Sequence, residues 1–320
     1  MYRKLSASSI KDIVKEFHKF LTRFVSPIQL KSFNPAYVSG QCLHSIAEHF
    51  ANTGELNKQV AYDLLETKKG EFTLIIDGEI EHTREPYIDE VIEAIENGFE
   101  NMKGILKRGT PEVKIDDENF TGFIDLITED GEIRDWKFVN SYNKAGMFDS
   151  MPGYLIQGAL YTRRYNNQYG KLPTGIKFIE ILKKDTRITE PGYNTKEKII
   201  NLIEEEKGID LTEARTDRKM TREILIATYE PKDKQHSIIN IIPDDSLLQF
   251  GEDVLAMGIK IRNKIYEGEE IQKRINESEG EELALSISDA NVMSDYISFQ
   301  VAKFQKMVNL FVQNYNDIPN

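Results

Sequence analysis

Residues 121–138, TGFIDLITEDGEIRDWKF, constrain the fold of this chain more than any other segment. Residues 122–128 and 132–139 are rich in β-branched, aromatic and other apolar residues, which is typical of β-strands. Between them lies Asp130-Gly131, a strong signal for a tight turn. The segment therefore predicts a β-hairpin.

The length of the hairpin loop decides which side chains face each other. A two-residue loop, 130–131, would pair Asp125 with Trp136 and leave Asp125 and Asp135 on opposite faces of the sheet, because side chains alternate along a strand. A three-residue loop, 129–131, with a left-handed glycine at its end, pairs Asp125 with Asp135 instead. We favour the longer loop, which also places Lys137 on the face of the two carboxylates.

A pair of facing carboxylates is unfavourable unless a cation accompanies it. At a separation of roughly 5 Å, two ionised carboxylates repel by on the order of 3 kcal/mol at an effective dielectric constant of 20. Carboxylate oxygens suit Mg²⁺ or Mn²⁺, and the ammonium of Lys137 beside them would orient a water or balance charge that develops on a phosphate. The alternative is a surface hairpin in which Asp135 pairs in water with Lys137 or Arg134.

The remaining periodicity predicts a mixed α/β fold, with a central β-sheet flanked by helices. The 320 residues are enough for two ordinary domains or one elaborated domain. Further strands are predicted at 175–182 and 236–242. Helices are predicted at 9–25, 35–50, 88–106, 151–165, 245–266 and 295–312, with an acidic turn at 267–270 and a charged helical insertion near 194–234.

Charge and cysteine content exclude several classes of protein. The net charge is −12, from 41 basic and 53 acidic residues, so a surface that is basic throughout is excluded. A local phosphate-binding row remains, and Lys11, Lys15, Lys19 and Arg23 are its best candidates. Cys42 is the only cysteine, which excludes a four-cysteine zinc site and a cysteine-held iron–sulfur cluster within one chain. Neither a membrane-spanning stretch nor a signal peptide is evident, so we expect a cytoplasmic protein with no membrane partner.

At this point the sequence resembles the PD-(D/E)XK nuclease superfamily, and within it the RecB-like exonuclease branch. The resemblance rests on four motifs in the family's order: Gly40, His44 and Glu48 as G-x-x-x-H-x-x-x-E; Gly122 and Asp125 as G-x-x-D; Asp135 to Lys137 as D-x-K; Gln157 and Tyr161 as Q-x-x-x-Y. It implies a restriction-endonuclease-like core, which we place at residues 1–268. The resemblance leaves residues 269–320 unassigned, and we predict a helical C-terminal extension there from the sequence pattern. The cluster cysteines of some relatives are missing, so no iron–sulfur cluster is expected.

The resemblance also implies a function and the residues that perform it. Asp125, Asp135, His44 and the Trp136 carbonyl would hold Mg²⁺ or Mn²⁺, with Lys137 as the catalytic lysine. Gln157 and Tyr161 would bind or orient the nucleic-acid strand beside the active centre. The implied activity is a metal-dependent DNA exonuclease acting in recombination, repair or the processing of phage or mobile-element DNA.

The implied substrate is DNA with a single-stranded end. Because the chain lacks a G-x-x-x-x-G-K-[ST] loop, any unwinding would need a partner, and a helicase, a recombinase or a single-strand-binding protein would fit. Two alternatives stay open. One is an inactive DNA-binding or assembly subunit with a nuclease fold, and the other is an endonuclease of the same superfamily.

Several residues have weaker claims to a role in the site. Glu112 would be another acidic contributor, but Pro111 and the charged residues around it suggest an exposed strand entry. His49 breaks the H-E-x-x-H order after His44, so a zinc peptidase is a poor interpretation. Secondary candidates for phosphate contacts are Arg163, Arg164, Lys183, Lys184, Arg215, Arg218, Lys219 and Arg222.

Overall fold

The fold is α/β, with a five-stranded mixed sheet between two layers of helices. The computed structural model describes residues 3–21, 35–69, 74–76, 79–81, 85–140, 147–183, 200–201, 204–205, 208, 210, 212, 236–277 and 280–316. The predicted insertion near 194–234 lies almost entirely outside these residues. No helix among them is long and apolar enough to cross a membrane.

The described elements follow one another in this order. The helices are α1 (Ala7–Lys15), α2 (Phe17–Phe20), α3 (Pro35–Thr53), α4 (Gln59–Lys69), α5 (Glu85–Asn101), α6 (Met147–Tyr169), α7 (Asp245–Glu277) and α8 (Gly280–Asn316). The strands are β1 (Leu74–Ile76), β2 (Glu79–Glu81), β3 (Gly109–Asp116), β4 (Thr121–Thr128), β5 (Glu132–Val139), β6 (Gly175–Leu182) and β7 (His236–Ile241).

The main sheet has the strand order β3-β4-β5-β6-β7, and β1 pairs with β2 in a separate two-stranded sheet. Strands β5 and β6 are parallel and are connected through α6, whereas the other neighbouring pairs are antiparallel. Because β5 is the middle strand, it has a partner on each side, and both its faces are covered by helices.

Two hydrophobic cores lie on opposite faces of this sheet. On one face, Ile133 and Phe178 pack with residues of α1, α6, α7 and α8. On the other face, Trp136 and Ile179 pack with residues of α3, α4 and α5. Alternation along β5 and β6 therefore sends successive side chains into different cores, and a polar site at β5 is reached from both.

The hairpin has the register of the three-residue loop. Leu126 pairs with Arg134 and Ile127 with Ile133, which is the alignment that sets Asp125 opposite Asp135. Gly131 has a φ of +83°, in the left-handed region that favours glycine. Its N–H donates to the Thr128 carbonyl at 2.9 Å, which closes the loop.

Several predicted helix boundaries are wrong, and the helix predicted at 295–312 begins already at Gly280. The helix predicted at 9–25 ends at Lys15, because the backbone of Glu16 leaves helical geometry (φ −145°, ψ 63°), and the short α2 follows with Phe20 buried in the core. The predicted turn at 267–270 does not exist, since α7 continues through it to Glu277. There the buried Ile271 keeps the helix packed on its neighbours. Four described elements were not predicted as such: α4, β1, β2 and β3.

Candidate active site

The candidate site begins where the backbone pairing of β4 and β5 stops. Their ladder is described at Leu126–Arg134 and Ile127–Ile133. One residue further along β4, Asp125 Oδ2 instead accepts a hydrogen bond from the Trp136 N–H at 2.8 Å. The backbone of β5 therefore holds the Asp125 carboxylate directly, and its position follows from the hairpin register.

Helix α3 brings His44 to this carboxylate from one side of the sheet. The His44 Nδ1 atom lies 3.6 Å from Asp125 Oδ2, and the imidazole packs edge-on against the Phe138 ring with 5.1 Å between ring centroids. Burial lowers the pKa of His44 to about 4, although the nearby Asp135 acts in the opposite direction. The imidazole is therefore neutral near pH 7, which is the form that binds metals.

Strand β3 brings a third ligand, Glu112. It lies opposite Asp125, because its neighbours Pro111 and Val113 pair with Leu126 and Ile124. Ligand atoms of His44, Glu112 and Asp125 all lie within 4.8 Å of one another. In the part of the chain that the structure describes, these three residues form the one such group able to hold a metal ion.

Glu112 adopts a strained backbone conformation. Its φ is +48°, and it is the one described residue other than glycine with a positive φ. A side chain in this region costs on the order of 1 kcal/mol or more, and such strain concentrates at functional sites. Burial raises the pKa of the Glu112 carboxyl, and the neighbouring Glu48 and Asp135 raise it further.

Helix α6 reaches Asp135 from the opposite face of the sheet. Gln157 Nε2 donates to Asp135 Oδ2 at 2.6 Å, and the Tyr161 hydroxyl lies 3.1 Å from the same oxygen. The Tyr161 hydroxyl also lies 2.9 Å from the Phe123 carbonyl. Since a phenol has a single proton to donate, Tyr161 joins β4 and β5 by sharing or alternating that proton.

Asp135 is 1 % exposed, and Lys137 balances its charge. The ammonium of Lys137 forms an ion pair with Asp135 Oδ1, although this buried oxygen has no well-directed hydrogen bond. Burial alone would lower the pKa of Lys137, but Asp135 and Asp125 together raise it. Lys137 is therefore a cation held against the two carboxylates.

One ammonium does not neutralise the whole cluster. Burial raises the pKa of Asp125 well above its ordinary value, and the charge of Asp135 raises it further. The same two causes, in the same order, raise the pKa of the Tyr161 hydroxyl. The donor set consists of carboxylate oxygens and a neutral imidazole, and it carries excess negative charge. These are the properties of a site that fits a hard divalent cation.

Two stacked aromatic side chains, Phe178 and Tyr154, lie next to Lys137. Its ammonium lies 5.7 Å from the centroid of the Phe178 ring, and that ring stacks on Tyr154 at 4.7 Å. The Tyr154 hydroxyl donates to Glu180 Oε1 at 2.7 Å, and Glu180 pairs with Lys137 in the β5–β6 register. Tyr154 and Glu180 could not be singled out from the sequence, because their proximity depends on which strand lies next to β5.

The structure separates the predicted lysine row. Lys11 and Lys15 belong to α1, whereas Lys19 lies in α2 and forms an ion pair with Glu16. The three residues therefore do not share one continuous helix face, and Arg23 lies outside the described residues. The Lys11 side chain passes Gly153 of α6, one turn before Gln157.

Other predicted residues have partners elsewhere. Trp136 is buried in the core beneath α3, and only its backbone reaches the site. Arg163 pairs with Asp117 and Glu252. The buried Lys183 donates to the Ser39 hydroxyl at 3.1 Å and to a backbone carbonyl of α3. Lys184, Arg215, Arg218, Lys219 and Arg222 lie outside the described residues.

Comparisons with known proteins give only remote likeness. No protein-family model matches the chain, and no curated protein matches it in sequence. Among solved structures, the chain is similar to a candidate exonuclease from Eubacterium rectale, determined by crystallography at 2.19 Å. The match covers 83 % of this chain and 82 % of that one, with 14 % sequence identity and a TM-score of 0.45. The function of this chain therefore has to be argued from its own residues.

Proposed function

We propose that this chain is a Mg²⁺- or Mn²⁺-dependent nuclease that hydrolyses phosphodiester bonds of DNA from a free end. The observation that carries the proposal is the convergence of His44, Glu112 and Asp125, from three separate elements, beside Asp135 and Lys137. A fold built for stability alone gains nothing from placing three carboxylates around a neutral imidazole, because their mutual repulsion is unfavourable.

The cation would be held by His44, Glu112 and Asp125, with Asp135 next to them. The Trp136 carbonyl stays a predicted additional ligand. A divalent cation in this position supplies an acidified water and neutralises charge on the phosphate. Glu112 thus adds to the ligands that the motifs predicted, and its strained backbone supports a functional role.

Lys137 is proposed to stabilise the negative charge that develops on the phosphate. It retains its proton because Asp135 and Asp125 raise its pKa, and it is held in place by the ion pair with Asp135. A fixed cation that is already in position needs no reorganisation when charge develops in the transition state. We expect cleavage to leave a 5′ phosphate, as the resemblance implies.

We propose that the main role of Gln157 and Tyr161 is to orient the Asp135 carboxylate. Both reach the same carboxylate oxygen, and Gln157 also donates to the Tyr161 hydroxyl. These contacts fix the orientation of a carboxylate whose other oxygen meets Lys137. Contact of either side chain with the nucleic-acid strand stays a prediction from the resemblance.

The path of the substrate is proposed to pass the first turns of α6. Lys11 approaches Gly153, one helical turn from Gln157, and is the member of the predicted row with a described contact at this helix. Lys15, Lys19 and Arg23 stay predicted phosphate contacts. A helicase, recombinase or single-strand-binding protein stays a predicted partner.

The test is cleavage of end-labelled DNA by the purified protein. Linear and covalently closed circular substrates, single- and double-stranded, are incubated with Mg²⁺, Mn²⁺ or EDTA. We expect linear DNA to be degraded with either cation, closed circles to survive, and EDTA to stop the reaction. Cleavage of closed circles would favour the endonuclease alternative, whereas binding without cleavage would favour the inactive subunit.

Variants separate the chain's own activity from a contaminant. Asp135→Asn should abolish cleavage while DNA binding persists, because the loss affects the transition state rather than the bound ground state. Asp253→Asn is the matched control, since Asp253 is an exposed aspartate of α7 whose Oδ1 accepts a hydrogen bond from Gln249 outside the cluster. Equal activity of Asp135→Asn and the wild-type protein would refute the proposal.

A further inference from the structure

An exposed aromatic ring lies beside the candidate site and has no role in the mechanism above. Phe123 is 50 % exposed, although the next residue of β4, Ile124, is fully buried. Phe123 precedes Asp125 by two residues of β4, which is about 7 Å of strand rise.

A single exposed aromatic residue is common on protein surfaces and would need no explanation by itself. The backbone of Phe123 distinguishes it, because its carbonyl is 2.9 Å from the Tyr161 hydroxyl, which also contacts Asp135. The position of the ring is thus coupled through one side chain to the carboxylate pair. A residue outside the site would have no such connection.

The ring is also paired with a cation across the strands. Lys114 of β3 is the register partner of Phe123, so their side chains lie on one face of the sheet. Lys114 is exposed and has Asp116 as its described ion-pair partner at 3.2 Å. An exposed aromatic ring with an exposed ammonium beside it has the composition of a site for one nucleotide of a single strand, with the base on the ring and the phosphate at the ammonium.

We propose that Phe123 stacks on an unpaired base adjacent to the phosphate that is cleaved, and that Lys114 contacts the phosphate of that nucleotide. The substrate held for cleavage is then a single strand, because a base within a duplex cannot expose its face to the ring. This inference rests on the proposed function, since it takes the position of the cleaved phosphate from the metal-binding residues.

The first test measures stacking without cleavage. Single-stranded oligonucleotides with 2-aminopurine at successive positions from the end are bound to the protein in the presence of Ca²⁺. We expect fluorescence quenching at one position in the wild-type protein and in Phe123→Trp, and loss of that quenching in Phe123→Leu and Phe123→Ala. Affinity should fall on the order of tenfold in Phe123→Ala, as expected for one lost stacked base.

An abasic nucleotide at the quenched position makes the test specific. If the ring contacts that base, Phe123→Ala and the abasic site should each weaken binding, and together should weaken it no further than either alone. Fully additive losses would overturn the proposal, as would quenching in Phe123→Leu equal to that in the wild-type protein. Phe299→Ala is the matched control, since Phe299 is an aromatic residue of α8 that is 64 % exposed.

Two further measurements separate this inference from the proposed function. In cleavage assays, Phe123→Ala should raise KM for single strands about tenfold with kcat within twofold of the wild-type value. If the wild-type protein binds and quenches but no cation supports cleavage, the proposed function fails and the stacking site stands. If cleavage depends on Asp135 but Phe123→Ala matches the wild-type protein in KM and quenching, only the stacking inference fails.

Discussion

Replacing Asp125 by asparagine should make the protein more stable than the wild type without a divalent cation and less stable than the wild type with one. The amide is nearly the same size and still accepts the Trp136 N–H that bonds Asp125 Oδ2 at 2.8 Å. What it removes is one negative charge beside Asp135. The variant should therefore unfold at higher denaturant concentration than the wild-type protein in EDTA, and at lower concentration in saturating Mn²⁺.

The magnitude in EDTA follows from the electrostatics of the pair. Two carboxylates at roughly 5 Å repel by on the order of 3 kcal/mol at a dielectric constant of 20, and Lys137 offsets part of this repulsion. Protonation of Asp125, whose pKa is raised by burial and by Asp135, relieves another part. We expect the free energy of unfolding of the variant in EDTA to exceed that of the wild-type protein by on the order of 1 kcal/mol, because a shift of one pKa unit corresponds to about 1.4 kcal/mol.

The pH dependence has a definite sign. The carboxyl of Asp125 binds its proton more tightly in the folded protein than in the unfolded chain, where the pKa has its ordinary value near 3.8. The folded wild-type protein without metal therefore loses stability as the pH rises from this value through the higher folded value. Asp125→Asn lacks this group, so its unfolding free energy should fall less over the same range.

The magnitude in Mn²⁺ follows from mass action. A cation at 100 times its dissociation constant stabilises the folded protein by about 2.7 kcal/mol. Asp125→Asn loses a ligand and most of this gain. The assay is urea-induced unfolding followed by circular dichroism, in EDTA and across a Mn²⁺ titration.

Asp116→Asn serves as the control for this unfolding experiment. Hydrogen bonds from Lys4 and Lys114 lower the pKa of Asp116 to about 2, so its charge is favourable and lies outside the cluster. The control should lose a little stability in both conditions and keep the full stabilisation by Mn²⁺. An Asp125→Asn protein that Mn²⁺ stabilises as much as the wild type would refute the assignment of Asp125 as a ligand.

Three further substitutions test separate parts of the reasoning. Lys137→Ala should lower the single-turnover cleavage rate by about 100-fold or more, with DNA affinity by fluorescence anisotropy nearly unchanged; a large loss of affinity would contradict a transition-state role. Gly40→Ala should raise the free energy of unfolding in urea by about 0.5–1 kcal/mol, because the added Cβ meets open space within α3. A lower free energy of unfolding would show that the space is needed. Gly251→Ala should lower stability by about 1–3 kcal/mol, since its Cβ would lie 2.5 Å from the Ala159 carbonyl oxygen, and unchanged unfolding would show that α6 and α7 can separate.

The hairpin was predictable because its register is encoded locally. A glycine at position 131 fits a three-residue loop with a left-handed last residue, and the loop length then fixes the pairs next to it, Ile127 with Ile133 and Leu126 with Arg134. The next positions in this alignment are Asp125 and Asp135, where the ladder ends and the Asp125 carboxylate accepts the Trp136 N–H. Likewise, Gln157 and Tyr161 lie four residues apart on one helix, so their common direction was predictable before their target was known.

Glu112 could not be recognised in the same way. Its place opposite Asp125 depends on the pairing of β3 with β4, and the connection at 117–120 contains no tight-turn signal of the kind that sets the hairpin register. Its left-handed backbone is unusual for glutamate and has no local sequence cause. A connection without that signal, together with tertiary strain, therefore left Glu112 a weak candidate in the sequence.

The lysine row shows how tertiary packing overrides helix periodicity. Lys11, Lys15 and Lys19 have helical spacing, and Glu16 between them is a good helix former. The structure nevertheless breaks the helix at Glu16 and buries Phe20, whose ring stacks with Phe17 at 6.1 Å. Periodicity predicts which residues can share a helix face, but it does not show where packing ends the helix.

The position of the site between two cores connects cation binding to the integrity of the whole sheet. His44 comes from the layer of α3, whereas Gln157 and Tyr161 come from the layer of α6. The acidic pair between them disfavours their close approach as long as its charge is unbalanced. A cation that binds the assembled site stabilises every contact that assembles it, because binding to the folded state alone shifts the folding equilibrium. Under the proposed function, the repulsion between the two carboxylates would therefore make the contacts on both faces of the sheet depend on a bound cation.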